Sequence, residues 1–177
     1  VTSHYILGPG VIDVGVDLSG QNLSTSGLNL TGAVLSNSKL GGANLNGVTL
    51  TSATITGSDV SGTVFPATSL SGSGYSNPMA GLVSGGLTAG TPPVFTPRTG
   101  GTYWSYWPAG NGGTNGGYIL GPQVNLSNQT LSNMTLSSAA SPTYLAAANM
   151  SSTVLDGADL TSAVMNCLTS SGACMTA

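Results

Sequence analysis

Residues 41–62 read GGANLNGVTLTSATITGSDVSG, and in fives they fall into register. Leu45, Leu50, Ile55 and Val60 share one phase, with the smaller Ala43, Val48, Ala53 and Ser58 two places earlier. Asn46, Thr51, Thr56 and Ser61 follow each large residue, and then come Gly47, Ser52, Gly57 and Gly62. A period of five matches neither the 3.6 of a helix nor the 2 of a flat strand. A short fixed period joining one large apolar residue, one small residue and turn formers describes a solenoid, in which each repeat packs only against its neighbours.

The register extends outward. Large residues stand at Leu18 and Leu23, then after a step of seven at Leu30, Leu35, Leu40, Leu45, Leu50, Ile55, Val60 and Phe65. The step of seven predicts a two-residue bulge at a corner. A second run holds Leu126, Leu131 and Leu136, skips nine residues across Ser141-Pro142-Thr143, and continues through Leu145, Met150, Leu155, Leu160 and Met165. Proline punctuates regular strands, so that gap predicts a four-residue loop. These eighteen residues are the expected core ladder. Gln21, Leu28, Gln129 and Met134 fall where a small residue is expected, which predicts a locally wider or distorted tube.

Ahead of each run stands the same word, Tyr5-Ile6-Leu7-Gly8-Pro9 and Tyr118-Ile119-Leu120-Gly121-Pro122. Matching Val16-Asp17-Leu18-Ser19 with Val124-Asn125-Leu126-Ser127 leaves residues 11–15 as one extra pentad in the first copy. The organisation expected is a first repeat block at 1–65, an irregular insertion at 66–117, and a second block at 118–177 ending in a cysteine-bearing segment. The insertion is rich in Pro and Gly and carries Tyr103, Trp104, Tyr106 and Trp107. A structureless loop of such length is improbable in a compact domain, so the insertion is expected to pack on one continuous solenoid.

Charge is scarce. Of 177 residues, Lys39 and Arg98 are basic and Asp13, Asp17, Asp59, Asp156 and Asp159 acidic. The near absence of cations speaks against nucleic-acid binding through counterion release. No apolar run reaches the ~18 residues of a membrane-spanning helix. Little net charge keeps copies apart, which favours association. The chain opens on Val1 rather than Met, as in a processed or trimmed chain.

No catalytic set is legible. His4 is the lone histidine and has no acid or nucleophile near it in sequence, and Asp156 and Asp159 belong at different corners of a coil. No cofactor or metal site is expected. Cys167 and Cys174 form no CxxC pair and only His4 could join them, so no zinc site is expected; a small terminal disulfide is the preferred reading and two free or intermolecular thiols the alternative. The aromatic residues 103, 104, 106 and 107 are candidates for packing, an assembly contact or a sugar platform. Six N-x-S/T sequons stand at Asn22, Asn29, Asn125, Asn128, Asn133 and Asn149. The pentad generates them by itself, so they leave glycan attachment open.

Ala43-Asn44-Leu45-Asn46-Gly47 and Ala158-Asp159-Leu160-Thr161-Ser162, repeated in register, make the chain resemble the pentapeptide-repeat family. The YILGP word and the Leu82-Val83-Ser84-Gly85-Gly86 start of the insertion resemble long bacterial members in which repeat blocks alternate with linkers. The resemblance implies an all-β fold, a right-handed quadrilateral parallel β-helix of about four pentads per coil, with the large and small residues pointing inward. Leu168-Thr169-Ser170-Ser171-Gly172 follows the second run as residues 82–86 follow the first, so the chain opens where a linker ends and closes where one begins. No end shows an obvious polar cap. The expectation is a non-catalytic structural protein, secreted or on the cell surface, whose copies stack head to tail into a filament. The alternative is a binding module for ice, glycan or protein, or a DNA-mimicking gyrase protector, although five scattered aspartates suit such mimicry poorly.

Overall fold

The computed structural model describes residues 5–24, 27–67, 77–95, 104–108, 117–136 and 143–165. Its wall is a stack of parallel bridges. Ile12, Val34, Thr54, Val83, Asn125 and Asn149 are joined in succession and form one side. Asp17, Lys39, Asp59 and Thr88 form the next side, with Thr130 and Val154 further along it. Asn22, Asn44 and Val64 lead a third side, on which β1 (Val64–Phe65) pairs in parallel with β2 (Val94–Phe95). Asn29 and Thr49, and later Tyr144 and Val164, belong to the fourth.

Each side is held twice. The residue at the bridge donates down the stack, as Val34 N–H does to Val11 C=O at 2.8 Å. The next residue donates up it, as Leu35 N–H does to Thr54 C=O at 2.7 Å. Between sides the chain turns through four residues. Ala33 N–H closes on Leu30 C=O, Val48 on Leu45 and Ala53 on Leu50, each within 3.0 Å. The third residue of these turns has positive φ, at Gly32, Gly47 and Ser52 among others, while the second does not. That combination is type II turn geometry, which is why the pentad ends in Gly, Asn or Ser.

Rung lengths read straight from the bridges. Asn29 and Thr49 are 20 residues apart, four pentads, but Ile12 and Val34 are 22 apart, so the step of seven between Leu23 and Leu30 lengthens that rung by two. Asn125 and Asn149 are 24 apart, which accommodates the nine-residue gap in the same way.

Inward residues are the expected ones through the middle of the stack. Leu30, Leu35, Leu40, Leu45, Leu50, Ile55, Val60, Phe65, Leu126, Leu131, Leu136 and Leu145 are 0–2% exposed. Leu18 and Met150 are buried, whereas Leu23, Leu155, Leu160 and Met165, nearer the ends, are partly buried. Met134 is fully buried in a small-residue position, Leu28 and Gln129 are partly buried, and Gln21 turns out to solvent. Small hydroxyls complete the tube. Ser58 Oγ accepts from Ser38 N–H at 3.0 Å and donates to Leu35 C=O at 2.9 Å, inserting one side chain into the turn of the rung below.

Two readings are revised by the ladder. Residues 11–15 are not an added pentad, because Ile12 bridges Val34 and the five residues form a side of the first rung. The structural match is therefore Val11 with Val124 and Asp17 with Thr130, a uniform offset of 113 residues, the same as between the two words. Asp13 stands where Leu126 stands in the second block. Part of the irregular segment also enters the wall. Val83 bridges Thr54 on one side and Asn125 on the other, and Thr88 continues the column of Asp59. Residues 77–95 are thus a rung, and Phe95 stacks on Phe65 with ring centroids 5.4 Å apart.

Candidate functional site

With no concave centre predicted, the surfaces that matter are the outer rows, the aromatic segment and the two open ends. On the outer rows, polar residues serve the backbone. Asn22, Asn29, Asn125 and Asn149 each accept, through Oδ1, the N–H two residues on, at 3.0–3.2 Å. Asp17, Asp59 and Asp159 do the same at 2.8–3.1 Å. The N-x-S/T pattern is therefore an Asx turn at four of the six sequons. The other two, Asn128 and Asn133, occupy the left-handed turn position with φ of 60° and 58°.

Hydrogen bonds from the Ser19 hydroxyl and backbone, with Lys39 Nζ 3.7 Å away, hold Asp17 below the ordinary carboxylate value, and Thr161 does the same for Asp159. Thr columns are short. Thr51 follows Thr31 in the stack, and Thr56 Oγ1 lies 3.0 Å from Ser36 Oγ. Among the described residues this mixed surface offers no extended Thr array. Among the described residues no three His, Cys, Asp or Glu side chains gather to hold a metal, and no helix is long and apolar enough to cross a membrane.

The aromatic segment is turned inward. β3 (Ser105–Trp107) pairs antiparallel with β4 (Tyr118–Leu120), placing Tyr106 opposite Ile119. Trp104 is 4% exposed, and its indole lies where a Cβ on Gly121 would be. Gly121 occupies the register position held by Leu30, Leu50 and Leu145 on the same side, because Val124 N–H closes its turn as Ala148 N–H closes that of Leu145. Trp104 thus supplies the missing large side chain from another part of the chain. This corrects its candidacy as an assembly contact: its surface is spent internally. Tyr106 lies over Gly117, with its hydroxyl pKa raised by burial and by the Asp59 charge. Trp107 is half-buried, its Nε1–H donating to Ser105 Oγ at 2.9 Å. Tyr103, His4, Cys167 and Cys174 lie outside the described residues.

At its two ends the described ladder has edges without a described partner. The backbone N–H groups of Ile12 and Asn22 meet no preceding rung among the described residues, while Asp17 N–H is met by Tyr5 Oη at 3.2 Å. Ile6, Ile12 and Val14 are 86%, 76% and 57% exposed. On the last described rung, the N–H groups of Met150, Leu155 and Leu160 point onward without a described acceptor. Sequence reasoning pointed to the ends but missed the open Ile6 and the role of Gly121, since a glycine at a core position reads as a break in the pattern.

The pentapeptide-repeat family model matches residues 29–65 in eight copies. Residues 29–65 are a pentapeptide-repeat block. The fold is the right-handed parallel β-helix of these repeats, in keeping with the right-handed rule for parallel crossovers. Among solved structures, the chain is similar to the pentapeptide repeat protein Rfr23 from the cyanobacterium Cyanothece 51142, at 16% identity and TM-score 0.39, covering 85% of this chain and 84% of that one. It is also similar to HetL, a pentapeptide repeat protein involved in heterocyst differentiation regulation in Nostoc sp. strain PCC 7120, at 16% identity and TM-score 0.23, covering 89% and 57%. QnrB1, a plasmid-mediated fluoroquinolone resistance protein, is similar at 14% identity and TM-score 0.26, covering 85% and 68%. No curated protein sequence matches the chain.

Proposed function

We propose that the chain is a non-catalytic structural β-solenoid that assembles head to tail, outside the cell or at its surface. The observation that carries the reading is the pair of strand edges on the first and last described rungs. In a parallel ladder the lower edge presents the N–H and C=O of the bridge residue, and the upper edge presents the C=O before it and the N–H after it. Ile12 and Asn22 offer the first set, and Ala148 C=O with Met150 N–H the second. An edge that meets no partner among the described residues is a template for another chain. A head-to-tail contact that does not close gives an open filament. The nearly uncharged surface supports the reading by supplying little repulsion between copies.

The test is electron microscopy with sedimentation across a concentration series. Wild-type protein is expected to give filaments, and Ile12→Lys, a charge on the open edge, is expected to stay monomeric with an unchanged unfolding midpoint. Wild-type protein that remains monomeric at high concentration overturns the proposal.

A further inference from the structure

The two copies of the YILG word lead into the same turn and have opposite surroundings. Val11 N–H closes a turn on Gly8 C=O at 3.3 Å, and Val124 N–H closes one on Gly121 C=O at 3.3 Å. Gly10 has a φ of 66° and donates to Thr31 C=O, as Gln123, φ 60°, donates to Ala146 C=O. Tyr5 Oη meets the backbone of Asp17, and Tyr118 Oη meets that of Thr130, each twelve residues on. Yet Ile119 is 0% exposed and Ile6 is 86% exposed. A Cβ on Gly121 would collide with the Trp104 ring, while a Cβ on Gly8 would meet nothing within 4 Å. The second word is covered by β3 and by an indole. The first shares the turn and a tyrosine contact twelve residues on, but its glycine face is open.

We infer that residues 5–8 form a docking site for an extended, tryptophan-bearing polypeptide strand of the chemistry seen at residues 104–107. The strand runs antiparallel to residues 5–7 and lays an indole on Gly8. The chemistry of the occupant is that of the segment Trp104-Ser105-Tyr106-Trp107, because this chain already shows that segment on the equivalent surface. Aromatic anchors seated in a fitted recess dominate such contacts, and main-chain pairing with an exposed strand is an established mode of peptide capture. The site lies at the same end as the Ile12 edge but needs only one copy, so it is tested on the monomer.

Gly8 provides the discriminating variant. It has no positive φ and open space around it, so Gly8→Ala leaves the isolated fold intact while placing a methyl group where the indole would lie. The probe is a labelled peptide of sequence YWSYWP, with a scrambled peptide as control, titrated into protein at a concentration where sedimentation shows monomer. Saturable binding to wild type is expected, weakened roughly tenfold or more in Gly8→Ala with an unchanged unfolding midpoint. Absence of saturable binding, equal affinity for Gly8→Ala, or equal affinity of the scrambled peptide overturns the inference. A chain that binds the peptide but never forms filaments overturns only the assembly reading, and filaments without peptide binding overturn only this one.

Discussion

Gly57 and Gly62 occupy the same turn position with φ of 71° and 62°, but their neighbours differ. A Cβ on Gly57 would run into the Asn37 amide of the rung below, whereas one on Gly62 would meet nothing within 4 Å. An L-residue in left-handed backbone costs about 1–2 kcal/mol, so Gly62→Ala is expected to lose that amount. Gly57→Ala is expected to lose more, because Asn37 must also move. Denaturant titration of the two variants checks this, and equal losses would contradict the stacking of Asn37 on Gly57. The contrast was invisible in the sequence. Both glycines end a pentad there, and only the 20-residue rung brings residue 37 beneath residue 57.

At the scale of the wall, inward and outward assignment makes the sharper claim. Leu50 is 1% exposed and its neighbour Thr51 faces outward. Leu50→Asp removes about 1.5–3 kcal/mol of apolar burial and places a carboxylate in a dry tube, so it is expected to abolish folding. Thr51→Asp is expected to leave the unfolding midpoint nearly unchanged, as circular dichroism melts would show. This alternation was legible from residues 41–62 because large and small residues keep their places there.

In residues 77–95 they exchange places. Leu82 and Leu87 fill the small-residue position and Ser84 and Ala89 the large one, so the tube stays full while the sequence pattern slips by two. A fixed phase therefore missed a rung that contributes fully to the wall. The indole at Gly121 escaped for a related reason: the filling atoms belong to a different stretch of chain.

For the whole molecule the scarcity of charge limits what pH can do. Asp17 and Asp159 have folded pKa values lowered from 3.8, chiefly by Ser19 and Thr161 respectively. A depressed carboxylate stabilises above its unfolded pKa, and that contribution fades as pH falls through the folded value. The unfolding midpoint is thus expected to be flat from pH 7 to about 5 and to decline only below about 4. Thermal melts across that range check it, and a decline already at pH 6 would contradict it.

The rung from Val83 to Asn125 takes 42 residues where others take 20 to 30, and this has a kinetic consequence. Thermodynamically the detour is mild, since each doubling of a loop costs only about 0.6 kcal/mol in closure entropy. Order of events is another matter. A stack whose rungs touch only their neighbours folds by propagation from a nucleus. Residues 29–65, with short uninterrupted rungs, are where such a nucleus forms most readily. Propagation is then expected to pause at Val83 until the distant strand with Trp104 has found Gly121, a lag that refolding followed by tryptophan fluorescence would show. The indole is in this sense a checkpoint in time as well as a filler of space: the two blocks, continuous in the finished tube, are successive in its making.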